Sequence, residues 1–86
     1  MRLVLPERLD ITNEDVVRDL CEVVAEDIEV DASSIVKVDA AGVQLMCAFA
    51  AAVRTRGARL TWHAVSQVFR DASRILGAGA ALSLPD

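Results

Sequence analysis

Eighty-six residues with 53% hydrophobic side chains, three aromatics and a net charge of −4 describe one small domain. A chain of this size buries only roughly 60% of its unfolded surface, so its core is thin. The acidic balance excludes an extended phosphate-binding surface, which needs a basic patch, and no apolar run reaches the ~20 residues that span a bilayer.

Arg2–Leu5 is predicted as a short strand closed by Pro6, and Leu9–Ile11 as a connector. Thr12 with Asp15 three residues on approximates a capping box. Val16, Leu20, Val23 and Val24 then repeat at helical spacing, with Glu14, Asp15, Arg18, Asp19, Glu22 and Glu26 on the other face. Ile28, Val30 and Ala32 alternate with Glu29 and Asp31, the pattern of a strand with one wet face. Ser33–Ser34 breaks it, and Ile35, Val36 and Val38 lead into Asp39.

A long helical pattern follows and stops at Gly57. At about 100° per residue, Gly42, Val43, Leu45, Met46, Phe49, Ala50 and Val53 share one side. Ala40, Gln44, Cys47, Ala48, Ala51 and Thr55 share the other. That outer side has no charge until Arg54 and Arg56, where a solvated helix face normally carries Lys and Glu. It is either an inert alanine-rich face or a surface that lets another protein approach closely. Leu60–Trp62 is predicted as a strand. Ser66 is a candidate N-cap for a helix with Val68, Phe69, Ala72, Ile75 and Leu76 on one face and Gly77 as terminator. In the small-residue tail, Leu82 and Leu84 are candidates to dock on the core.

Catalysis finds little support. A nucleophile needs a base within hydrogen-bond reach; His63, the single histidine, ends a strand pattern beside Trp62, where a structural or exposed histidine is expected. Asp39 directly precedes a helix. Capping explains it without a second group, while an acid or phosphate-acceptor role stays open. Cys21 and Cys47 form no C-x-x-C pair and no zinc set can be assembled, so no metal and no cofactor are expected. Gly77-Ala78-Gly79 follows a helix rather than a strand and lacks the context of a dinucleotide fingerprint. Arg54, Arg56 and Arg59 sit at a helix end, where cations favour the dipole. Capping or anion binding both fit them.

The run Ile35–Met46, VDAAGVQLM in particular, resembles the signature of the STAS family of bacterial anti-sigma-factor antagonists and their relatives: hydrophobic residues, an aspartate, Ser or Thr, a glycine one residue on, then a helix. LDIT at Leu9–Thr12 is similar to the family's segment before its first helix. RGARLTWHAVSQVFRDASRILG is similar to its later strand, Ser-initiated helix and leucine–glycine close. The resemblance covers nearly the whole chain as a single domain, residues 1–86. It implies an α/β fold, a small mixed and largely parallel sheet of three or four strands with three main helices. Family members begin with two strands before the first helix. This chain has room for about one, so the N-terminal strand pair is expected to be trimmed.

The resemblance also implies a non-enzymatic, cytoplasmic bacterial interaction module that regulates transcription through signalling. Its partner would be a kinase-like anti-sigma factor or a sensor kinase. The alternative is an accessory subunit bound to the ATPase of a lipid-asymmetry ABC transporter. The partner-binding residues it implies are Asp39, Ala40, Ala41, Gly42, Gln44, Ala48 and Ala51. A homodimer stays open; nucleic acid and direct membrane insertion are not expected. In phosphorylated members the residue after the aspartate is the modified Ser or Thr. Here it is Ala40, and Ala41 offers no substitute, so that switch is missing. A small-ligand module is a third class, without a visible phosphate site.

Overall fold

Ile28, Val30 and Ala32 point into the core while Glu29 faces solvent, so the predicted alternation becomes the middle strand of a sheet. The computed structural model describes residues 1–10, 15, 17–19 and 26–84. Strand β1 (Arg2–Val4) and strand β3 (Ile28–Ala32) pair in parallel, with Leu3 opposite Val30. Strand β5 (Leu60–Val65) lies parallel on the other side of β3. Its register runs Val30 to Trp62 and then Asp31 to Ala64, leaving His63 as an extra, bulged residue. A second, two-residue ladder joins β2 (Arg8–Leu9) to β4 (Lys37–Val38), again in parallel. Parallel neighbours need crossover connections. The one between β3 and β5 carries the central helix α1 (Ala40–Thr55). Helix α2 (Gln67–Ile75) and the short α3 (Gly79–Leu82) complete the order.

This is the α/β fold that was expected. Room for about one strand was expected before the first helix; the structure has two, of three and two residues. Leu9, expected in a connector, is instead half of β2, and β5 continues three residues past Trp62. A two-residue strand carries no periodicity to read, so only its partner Lys37–Val38 reveals it. Of the first predicted helix, Asp15 and Val17–Asp19 are helical, with Val17 buried and Asp15, Arg18 and Asp19 exposed, and Glu26 lies exposed beyond it; residues 11–14, 16 and 20–25, Cys21 among them, lie outside the described residues.

The core is one cluster of Leu5, Leu9, Val17, Ile28, Val30, Ile35, Val43, Met46, Phe49, Val53, Phe69 and Leu82 with small neighbours. Leu82 docks fully and Leu84 partly, as the tail predicted. Trp62 is half-buried, tilts against Phe69 at 5.6 Å between ring centroids, and donates its indole N–H to the Leu82 carbonyl at 2.9 Å. That bond and the buried Leu82 side chain tie the last helix to the sheet.

Helix α2 is rotated from its predicted face. Only Phe69 and Ser73 are buried, while Val68 is 43%, Leu76 47% and Ile75 84% exposed. The apolar arc of this helix is wider than the strip the core can cover. Phe69, the largest side chain, takes the core at the Trp62 contact and turns Val68 and Ile75 outward. Glycines end both longer helices in the left-handed region, Gly57 at φ 76° and Gly77 at φ 66°.

Candidate functional site: the central helix and its N-terminus

Asp39 is extended at φ −113°, ψ −179°, and its Oδ1 accepts the Gly42 N–H at 2.8 Å. This is an N-cap: the carboxylate satisfies one of the orphan donors of the first turn and adds a negative charge at the positive end of the helix dipole. Asp39 and Ala40 are exposed and Ala41 is half-buried.

Gly42 lies elsewhere. It is buried, and a Cβ built on it would stand 2.3 Å from the Leu9 carbonyl oxygen and 3.1 Å from Val38 Cγ2. The expected partner-facing role does not suit this position. The glycine is there so that the helix start can press against the β2–β4 ladder. Leu9 and Val38 are thus the supports of the junction. Leu9 escapes sequence reasoning because the contact spans 33 residues with no local signal.

Beyond the cap, α1 separates its two sides. Gly42, Val43, Met46, Phe49, Ala50 and Val53 are buried and Leu45 is half-buried; Gln44, Ala48, Ala51 and Thr55 are exposed. At 1.5 Å per residue the 16-residue helix presents an outer strip about 24 Å long. Thr55, near the end of the strip, has its Oγ1 already occupied, donating to the Ala51 carbonyl at 2.9 Å. Cys47 is half-buried at the strip's edge. Burial pushes its thiol pKa up, and Arg54 offsets this only in part, so the cysteine stays a neutral apolar filler near neutral pH. No charged side chain stands on the strip between Asp39 and Arg54.

Of the basic cluster, Arg54 donates to the Ala81 carbonyl and clamps α3 onto the end of α1. The Arg59 backbone N–H donates to Asp27 at 2.8 Å. Both contacts are structural. Beside the helix start, Val36 is 66% exposed and Lys37 is exposed, a flank of the junction that the strand pattern had not singled out. His63 is half-exposed, 3.9 Å from Glu29 Oε1, and far along the sequence from Asp39. Among the described residues no three His, Cys, Asp or Glu side chains gather as a metal site, and no helix is long and apolar enough to cross a membrane.

The model of the family described as "Mlab, STAS domain" matches residues 1–84, nearly the whole chain. No curated protein and no solved structure matches it.

Proposed function

The chain belongs to the STAS-domain family, and we propose that it works as a non-enzymatic docking module, one domain over residues 1–86, in the manner of an anti-sigma-factor antagonist. STAS domains are in general protein-interaction modules. The docking surface is the N-terminal end and outer face of α1: Asp39, Ala40, Ala41, Gln44, Ala48 and Ala51. The observation that carries this is the exposed, uncharged strip that starts at the Asp39 cap and runs the length of the helix. Small side chains let a partner's backbone approach closely, and the modest apolar area favours burial. The partner is a cytoplasmic regulatory protein, a kinase-like anti-sigma factor or sensor kinase.

Regulation differs from that of phosphorylated members. A phosphate next to the helix N-terminus would add about −2 charge and bulk at the contact. Ala40 and Ala41 carry no hydroxyl, so no phosphate can be added beside Asp39 at these positions and the surface stays competent to bind at all times. The same alanines favour a second reading, a permanent accessory subunit on the ATPase of a lipid-asymmetry ABC transporter, which needs no such switch.

Affinity capture with the wild type and with Ala48→Glu and Gln44→Glu tests the surface. Both positions are exposed, so the variants are expected to fold normally by circular dichroism and to lose the partner. Equal capture by wild type and variants rules the strip out. Whether the captured protein is a kinase-type regulator or a transport ATPase decides between the two readings.

A further inference from the structure

Helix α2 leaves an apolar stripe outside the core. On a wheel of about 100° per residue, Val68, Ala72, Ile75 and Leu76 fall within about 100° of one another. Three of the four are substantially exposed, Ile75 at 84%. Residues that a helix normally turns inward are on the surface here, rimmed on one flank by Gln67, Asp71 and Arg74.

We propose that a second copy of this chain covers the stripe, with the two α2 helices packed antiparallel about a two-fold axis near Ala72. The stripe is complementary to itself under that operation. Val68 of one copy falls opposite Ile75 of the other, and the reverse, while the small Ala72 sits at the crossing, where the backbones come closest. A two-fold axis also brings the same flank of each helix together. Asp71 of one copy then lies within about 3 Å along the axis of Arg74 of the second copy, twice over. Within one chain Asp71 Oδ1 accepts the Gln67 amide N–H at 2.7 Å and stands 3.7 Å from the Arg74 guanidinium, between side chains that are 52% and 71% exposed, so the second carboxylate oxygen of Asp71 and the exposed end of Arg74 face outward to a second copy. The flank holds one acid and one base rather than a row of cations, which fits a second copy better than an anionic membrane. One crossing of short helices buries less than roughly 1,000 Å², so the dimer is weak, micromolar or weaker. It uses a different helix from the docking strip on α1.

Sedimentation equilibrium of the full chain from micromolar to millimolar concentration tests this. Wild type is expected to pass from monomer to dimer. Ile75→Asp is expected to raise the dissociation constant about tenfold or more, with an unchanged circular dichroism spectrum because the side chain is exposed. Asp71→Arg and Arg74→Asp each place like charges across the axis and are expected to weaken self-association, by roughly threefold to tenfold. Mixed one to one, these two variants restore both opposite-charge pairs and are expected to associate more tightly with each other than either does with itself. An intrachain effect of the charges cannot produce that preference. A wild type that stays monomeric at millimolar concentration, or an Ile75→Asp that dimerises equally well, overturns the proposal. A mixture without preference overturns the antiparallel arrangement it rests on.

Discussion

Gly42→Ala is the substitution on which the account of the junction depends. In an open helix interior, replacing glycine by alanine stabilises by about 1 kcal/mol, because alanine loses less backbone freedom. Here the new methyl would stand 2.3 Å from the Leu9 carbonyl oxygen and 2.9 Å from its carbon. The obstacle is backbone, so no side-chain rotation relieves it. Either α1 lifts from the sheet or the Arg8–Leu9 strand leaves Lys37–Val38. Overpacking of this kind costs typically 1–3 kcal/mol, and a backbone clash belongs at the upper end. Set against the propensity gain, the net destabilisation is about 2 kcal/mol. For a domain of this length that is a fall in melting temperature of about 10 °C. Urea unfolding followed by circular dichroism measures it as a lower midpoint at constant slope. A Gly42→Ala protein as stable as wild type, or more so, would refute the close approach and with it the placement of the helix start under β2.

Three further outcomes are expected. Asp39→Ala removes the cap bond to Gly42 and should cost about 1 kcal/mol, read from urea midpoints. Asp39→Asn keeps a cap of equal rank and should stay within a few tenths, so partner capture by the Asn variant separates the cap from the charge. Ser33 donates both its hydroxyl, at 2.6 Å, and its backbone N–H, at 2.9 Å, to Asp31 Oδ1. These bonds, the hydroxyl first, hold the Asp31 pKa below its ordinary value, with Arg2 and His63 assisting against partial desolvation. A carboxylate with a lowered folded pKa contributes stability that is full above its unfolded pKa, near 3.9, and lost as pH falls through the folded value. Urea midpoints measured from about pH 5 down to about pH 2 should therefore fall less steeply in Ser33→Ala than in wild type; equal slopes would discount the Ser33 bonds. Trp62→Phe deletes the donor to the Leu82 carbonyl and should cost about 1 kcal/mol, with protection from amide exchange lost first in Gly79–Leu82.

How legible each feature was depended on its range along the chain. The Asp39 cap and the Ser66 cap, whose Oγ accepts the Phe69 N–H at 3.2 Å, are contacts across three residues. Residue type and spacing were enough to find them. The two sides of α1 were equally plain, because a 16-residue helix repeats its pattern more than four times. The same wheel misjudged α2. Nine residues give two and a half turns, and an apolar arc that wide fits more than one rotation.

The sequence alone determined the alternating β/α order and the capped, two-faced central helix. Both follow from local hydrogen bonding or from a repeat along one element. Only the tertiary structure decided that β2 pairs with β4, that Gly42 is a packing position rather than a surface one, that His63 is bulged out of register with β3, and that Ile75 faces solvent. Those outcomes depend on which of several distant neighbours arrives within van der Waals reach, and a one-dimensional pattern holds no information about that choice until the elements have packed.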